Sequence, residues 1–314
     1  MRQDRLVLDV LSGFATIAIV IAVGAFVAHI GLVDASAQVL LSRIAFFVAS
    51  PALLLTTIAA TDVSHVLSGN LVATAAGAAV PALTYAVVGH RVWRRRPGEL
   101  VIGSLASSYV NSGNLGIPVA AYALGSASFV APTLLLQLLV LQPVALALLD
   151  SDRFGRRPRA RELLVRPFTN PLTFGTLLGL GLAVTGWSLP TPVLRPIELI
   201  GAMAVPGMLL AYGIALRLGT GLGGDIPAGE LALTTVLKMI VQPLVAWAVA
   251  AGLLGVQGHA LLAVVVCSAL PTAQNIFVHA TRYDRATTLA RDTILLTTIG
   301  SVPVILLATV LLGH

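Results

Sequence analysis

The sequence is short of charge, and this shortage decides its class. Only 10% of its 314 residues are Asp, Glu, Lys or Arg, and 57% are hydrophobic, whereas an ordinary soluble domain carries roughly 25% charged residues. The longest polar stretch, residues 150–166, is the size of a loop, which argues against a large water-facing domain. Apolar runs of about 20 residues, long enough to cross a bilayer as helices, recur from end to end. The sequence therefore predicts an all-α polytopic membrane protein.

Cysteines and membrane-embedded acids are also scarce. Cys267 is the only cysteine, so no intrachain disulfide can form. No Asp or Glu lies near the middle of an apolar segment, where proton- and sodium-coupled carriers usually hold an acid. The chain has no His-Glu-x-x-His run and no paired acids, which argues against an intramembrane hydrolase. We expect no enzymatic activity, no metal and no cofactor.

Ten apolar segments can be drawn. They cover about 6–32, 39–60, 67–92, 99–126, 128–150, 167–188, 195–218, 229–256, 258–283 and 286–313. Segments four and nine are interrupted by residues that break helices.

The arginines give the segments an orientation. If the connections are assigned alternately to the two sides of the membrane, three arginines fall on one side, Arg2, Arg5 and Arg195. Fifteen fall on the other side, at positions 43, 91, 94, 95, 96, 153, 156, 157, 159, 161, 166, 217, 282, 285 and 291. Such a bias marks the cytoplasmic side. It predicts both termini outside the cytoplasm and the loop 151–166 inside, and it explains the net charge of +6 without a nucleic-acid partner.

Landmarks repeat at a nearly constant offset. Pro51 and Pro206 are 155 residues apart, and three further pairs are 160 to 162 apart: Pro81 with Pro243, Pro143 with Pro303, and Asn114 with Gln274. They predict two halves, 1–150 and 167–314, on either side of the loop 151–166. Because each half has five segments, the second half inserts upside down, as an inverted-topology repeat.

The interruptions lie at equivalent places in the two halves. Residues 111–118 of segment four contain Gly113, Gly116 and Pro118, and residues 268–275 of segment nine contain Pro271. A broken backbone at membrane depth is tolerated only where protein or a water-filled cavity covers it. If the segments cross at their breaks, half-helix N-terminal ends, each carrying about +0.5 charge, meet there and favour an anion.

Polar side chains near the breaks are candidates for substrate contact. They are Asn111, Asn114, Gln274, Asn275, Ser50 and Tyr122. The alternative for the amides is that they only satisfy backbone groups that the breaks set free. Tyr109 also flanks the first break, where packing is its default role.

A second set of residues could form an ion or coupling site: Gln137, Gln142, His279, Asp292 and Lys238. The glutamines could equally join helices by hydrogen bonds. His279 could be an interfacial histidine. Lys238 could snorkel to the membrane interface or pair with a helix end.

Taken in order, these motifs resemble the auxin efflux carrier family of bacterial permeases, which are related to the plant PIN transporters within the bile acid/sodium symporter-like superfamily. The resemblance is carried by 111–118, by 271–275, by 41–43 leading to 51–54, by 201–206 leading to Gly213, and by 237–239 with Pro243. It covers essentially the whole chain.

The resemblance implies a scaffold of segments 1, 2, 6 and 7, which often forms a homodimer, and a moving transport subdomain of segments 3–5 and 8–10. Relatives carry organic anions such as auxin, malate or malonate. By this resemblance Asn111, Asn114, Gln274 and Asn275 lie at the substrate pocket. We expect a secondary transporter, an exporter or uniporter of small organic anions that works by elevator-type alternating access.

Two other functions stay open from the sequence. A proton- or sodium-coupled symporter of the bile-acid type would show cation-dependent uptake. A channel would show unitary conductance, although two broken helices in an inverted repeat favour a carrier.

Overall fold

The structure is a computed structural model that describes residues 2–60, 69–116, 119–120, 124–125, 127–155, 171–218 and 226–313. Every regular element in these ranges is helical, and the β-type pairing among them is one isolated bridge. Six helices within them are long and apolar enough to cross a membrane. The all-α membrane class is therefore confirmed, while the ten-segment inverted repeat stays a prediction.

The helices are numbered in chain order. They are α1 (Arg2–His29), α2 (Ala35–Ala59), α3 (Gly69–Arg91), α4 (Pro97–Ala106), α5 (Ala131–Phe154), α6 (Pro171–Thr185), α7 (Thr191–Leu218), α8 (Ala228–Leu253), α9 (Gly258–Ala269), α10 (Asn275–Tyr283) and α11 (Thr287–Leu312).

Three long helices contain a widened π turn just before a proline. These turns are Ala45–Ala49 in α2, Gln137–Leu141 in α5 and Leu237–Val241 in α8, and Pro51, Pro143 and Pro243 follow them. A proline ring collides with the carbonyl four residues earlier in a regular α-helix. The wider turn relieves this collision, so each helix continues through its proline.

One group of helices packs through glycines. Helix α1 lies along α7, and α2 lies against both α6 and α7. A Cβ added at Gly213 of α7 would overlap the backbone of Ile21, and one at Gly179 of α6 would overlap the carbonyl of Leu55. Such close backbone approach is typical of membrane helix pairs. We call α1, α2, α6 and α7 the glycine-packed group.

The remaining helices, α3–α5 and α8–α11, form a group joined by polar contacts. Thr234 of α8 and Thr293 of α11 share a hydrogen bond of 2.9 Å. Near the predicted cytoplasmic end, buried Glu230 accepts a hydrogen bond of 2.6 Å from the Tyr85 hydroxyl. It also forms an ion pair with Arg95, with 2.5 Å between the nitrogen and oxygen atoms. This contact with Glu230 raises the pKa of Arg95. We call these helices the polar-bonded group.

The two interruptions meet inside the polar-bonded group. Helix α4 ends at Ala106, and α9 ends at Ala269. Beyond these ends the chains run antiparallel for a few residues, with Asn111 N–H donating to the Pro271 carbonyl at 2.8 Å and Ala273 N–H to the Tyr109 carbonyl at 3.0 Å. The first chain then enters a π turn, Ser112–Gly116, and the second enters α10.

Candidate functional site

Neighbouring side chains satisfy the carbonyl groups that the breaks release. The Gln137 side-chain amide donates to the Val110 carbonyl at 2.8 Å, and Gln242 donates to the Ser108 carbonyl at 2.8 Å. The Thr272 hydroxyl donates to the Ala106 carbonyl at 2.6 Å. Because an unpaired buried carbonyl is costly, these donors are what allow the chain to leave the helix at this depth.

A cavity of about 530 Å³, counting its opening, lies beside the two breaks. The glycine-packed group contributes one wall, and the polar-bonded group contributes the others. Its lining residues are Phe46, Ser50, Leu53, Leu54, Tyr109, Val110, Asn111, Ser112, Gly113, Leu134, Gln137, Leu138, Met208, Ala273, Gln274 and Asn275. This set mixes apolar, hydroxyl and amide side chains and contains no ionisable acid or base other than the Tyr109 phenol.

Among the described residues, two amide oxygens at this cavity have no hydrogen-bond partner, those of Gln274 and Asn275. The Asn275 side chain also bonds to the Tyr109 hydroxyl. Because the O and N atoms of an amide are interchangeable in a hydrogen-bond assignment, turning either amide over presents an N–H donor at the unpartnered position. Helix α10 also begins here. Among the described residues no side chain caps its first turn, and the Ile276 and Phe277 backbone N–H groups bond to the Ala273 and Gln274 carbonyl groups. The start of a helix carries partial positive charge, which attracts negative charge.

The structure brings most of the predicted substrate contacts together. Asn111, Gln274, Asn275 and Ser50 line the cavity, as does Gln137. Asn114 has its backbone in the π turn Ser112–Gly116. Pro118 and Tyr122 lie outside the described residues, so their predicted roles have no structural account.

The two predicted glycines differ in their surroundings. Among the described residues, a Cβ at Gly113 would meet no atom within 4 Å, whereas one at Gly116 would approach Val130 Cγ2 to 2.7 Å and Leu270 Cδ1 to 2.9 Å. Gly113 therefore borders open space in the cavity, and Gly116 allows close packing. Pro271 supplies the carbonyl that pairs the two breaks.

The predicted ion or coupling residues, apart from Gln137, stand behind or away from the cavity. Gln142 accepts a hydrogen bond from the Tyr109 hydroxyl at 3.1 Å. Asp292, at the start of α11, pairs with Arg291 at 2.7 Å. Lys238 is fully buried and donates to the Ser268 carbonyl at 3.1 Å, so its side chain does not snorkel to an interface.

His279 lies in a larger vestibule next to the cavity. This space of about 1920 Å³ is also lined by Arg43, Arg282 and Asp150. Phe46 borders both spaces, and its ring meets the His279 ring edge-on at 6.4 Å between centroids. The Phe46 and His279 rings thus lie between a vestibule that contains Arg43, Arg282 and Asp150 and a cavity whose described lining carries no charged side chain.

Sequence reasoning did not identify the apolar lining of the cavity, which includes Phe46, Leu53 and Met208. Leu53 and Met208 each follow a landmark proline, Pro51 and Pro206, by two residues. Leu53 and Met208 are therefore also 155 residues apart, and this offset could have identified them as equivalent positions in the two halves.

Helices that span a membrane and a polar cavity beside interrupted helices are the features of a membrane transporter. The chain matches the family model described as "Membrane transport protein" over residues 10–145 and 156–309, and it belongs to that family. The resemblance to auxin efflux carriers is thereby confirmed.

A curated relative is similar over most of both chains. It is the "Putative malonate transporter" of Rhizobium meliloti (strain 1021), 27% identical over 264 residues, which are 82% of this chain and 81% of that protein.

Proposed function

We propose that the protein is a secondary transporter of small organic anions and that the cavity at the two breaks is its substrate site. The observation that carries the proposal is that the side-chain amides of Gln274 and Asn275 each have one position without a partner among the described residues, beside the start of α10. Together they can hold a carboxylate without a fixed cation. The similarity to a protein named for malonate transport supports the same substrate class.

The rest of the cavity fits the remainder of such a substrate. Leu53, Leu134 and Met208 give it an apolar wall, while Ser50 and Ser112 add hydroxyl groups. An anion held by neutral dipoles loses its hydration without forming a tight ion pair. Binding of this kind is weak enough to allow release on the far side.

We infer an alternating-access mechanism from where the cavity lies. Its walls come from both helix groups, so movement of the polar-bonded group along the glycine-packed group would carry the site across the membrane. The glycine-packed group would then be the scaffold and the homodimer contact, and the polar-bonded group would be the transport subdomain. This is the elevator form of alternating access.

The arginine distribution supports a cytoplasmic vestibule. Arg43 and Arg282 line it, and both belong to the arginine-rich side of the predicted topology. In this orientation the termini lie outside and the loop 151–166 lies inside. A negative interior drives an anion outward, so export or uniport is the expected direction.

A thermal-shift titration tests the site. Malonate, malate and an aromatic monocarboxylate should raise the melting temperature of the purified parent protein. Gln274→Ala should raise the apparent Kd about tenfold, so its titration should need about ten times more ligand for the same shift. Gln257→Ala is the matched control, because Gln257 is an exposed amide at the start of α9 and makes no capping bond. No shift with any carboxylate would count against the anion class, and an undiminished shift in Gln274→Ala would move the site elsewhere.

The orientation has its own test. Cys267 is buried, so it should react little with a membrane-impermeant maleimide. In intact cells, Gln257→Cys should be labelled from outside and Arg91→Cys should be labelled only after lysis. The reverse pattern would invert the topology.

A further inference from the structure

Lys238, the only lysine in the sequence, binds the end of an interrupted helix. Its side chain is fully buried, and its Nζ donates to the Ser268 carbonyl at 3.1 Å. Ser268 is the next-to-last residue of α9, which stops at the break. The last carbonyl groups of a helix lack partners within that helix and carry its negative dipole end. The lysine therefore lies where α9 presents partial negative charge.

No carboxylate forms an ion pair with Lys238 within the part of the chain that the structure describes. Gln242 lies about one turn further along α8. Gln242 donates to the Ser108 carbonyl, just beyond the end of α4, and its own side-chain oxygen is buried without a partner. Helix α8 thus places a lysine at one interrupted helix end and an amide near the other.

Carriers with broken helices often bind a coupling cation at such places, through half-helix C-terminal ends and unwound carbonyl groups. We propose that the Lys238 ammonium is a tethered cation that takes the position of a coupling ion. This deepens the proposed function and rests on it: a carrier with its cation built in moves its anion without Na⁺ or another inorganic cation. The absence of acids near the middle of the apolar segments fits the same arrangement.

The parent protein gives the first test, which needs no variant. Its melting temperature should agree within about 1 °C in NaCl, KCl and choline chloride of equal ionic strength, because the cation position is already filled. A saturable stabilisation by Na⁺ over choline would overturn the proposal.

Lys238→Ala opens the position. The variant should melt about 5 °C or more below the parent. It should regain part of this loss in a saturable way with ethylammonium or Na⁺, and not with choline, which is too large for the vacated space. Recovery by neither small cation would show that the amine acts only as a hydrogen-bond donor or as packing, and the proposal would fail.

Two further variants separate charge from volume. Lys238→Met fills the space without charge, so it should show the loss and no recovery by cations; stability equal to that of the parent would overturn the proposal. Gln242→Ala removes a neutral donor from the same helix and should be destabilised without a cation response. If a Lys238 variant does not fold, the comparison of the parent protein in NaCl, KCl and choline chloride still tests the proposal. None of these readouts uses a substrate, so they hold even if no carboxylate binds.

Discussion

The glycine-packed and polar-bonded groups of helices are held together by opposite means. At Gly24, Gly179 and Gly213 the helix backbones approach so closely that a methyl group would not fit. In the other group, side chains such as Gln137, Thr272 and Gln242 reach across to carbonyl groups that the broken segments expose. Lipid gives no hydrophobic drive for helix association, so close packing and hydrogen bonds remain as sources of stability.

This difference matches the division of labour that we propose. A glycine contact depends on shape along a continuous surface, which suits a fixed frame. A hydrogen bond from a side chain to a released carbonyl stabilises an irregular backbone, which a polar cavity requires. Four experiments, in order of expected effect, test how the two groups are stabilised.

The largest effect is expected from Gly213→Ala in the glycine-packed group. The added methyl would overlap the backbone of Ile21 and crowd Ala25, and relief requires α1 and α7 to separate. We expect a loss of about 3 kcal/mol in unfolding free energy. Gly181→Ala in α6 is the control, because no atom of the described part of the chain lies within 4 Å of its added Cβ. Chemical denaturation in detergent measures both, and equal stability of the two variants would contradict the glycine contact.

Thr272→Val tests the polar-bonded group. The substitution keeps the shape and removes the hydroxyl that donates to the Ala106 carbonyl. Leaving this buried carbonyl unpaired should cost about 2 kcal/mol. Thr84→Val is the matched control, since the Thr84 hydroxyl is exposed and bonds within its own helix; it should change stability little. A similar loss in both variants would remove the distinction.

A pair of glycine variants separates cavity from contact within the first break. Gly116→Ala crowds Val130 and Leu270 and should lower stability by about 1 kcal/mol. Gly113→Ala adds a methyl in open space at the cavity, so it should leave stability unchanged and weaken the carboxylate-induced thermal shift. Unchanged ligand response in a stable Gly113→Ala protein would place the substrate elsewhere.

The smallest effect is expected at Asp34, which caps α2 by accepting hydrogen bonds from the Ser36 and Ala37 backbone N–H groups. The Ser36 side chain contributes most to holding the Asp34 pKa below its usual 3.8. A lowered folded pKa means that the stabilisation is present above pH ~4 and is lost as the pH falls through that pKa. Asp34→Ala should therefore melt slightly below the parent at about pH 6, and this gap should narrow as the pH falls below about 4. A constant gap would rule out the carboxylate as its cause.

The two breaks could be predicted because they depend on the local backbone preferences of glycine and proline. Helix α9 stops at Ala269, two residues before Pro271. Helix α4 stops earlier than predicted, at Ala106, and Gly113 and Gly116 lie in the π turn Ser112–Gly116 beyond it. The contact of Asn111 and Gln274 with one cavity followed from pairing the two breaks.

The partners of individual side chains could not be predicted in the same way. A lysine in an apolar segment, such as Lys238, could bond to several different groups. Its actual partner, the Ser268 carbonyl, is set by where α9 ends in the fold. Phe46 and Met208 enter the cavity because α2 and α7 face the breaks, which is a matter of tertiary packing. The π turns could not be predicted from the sequence, because no residue pattern distinguishes Pro51, which follows a π turn, from Pro81, which lies in a regular α-helix.

The π turn of α5 also sets the rotation of the residues that follow it. The backbone N–H of Gln142 bonds to the carbonyl of Gln137, five residues earlier, so the two glutamines stand one above the other. Five residues in a regular α-helix would separate them by roughly 140° around the axis. Deleting one residue from 138–140 would restore the regular helix and shift every later side chain of α5 by one position. The single extra residue thus fixes the register of α5. It places Gln137 and Gln142 on one helix face, where they bond to the Val110 carbonyl and the Tyr109 hydroxyl.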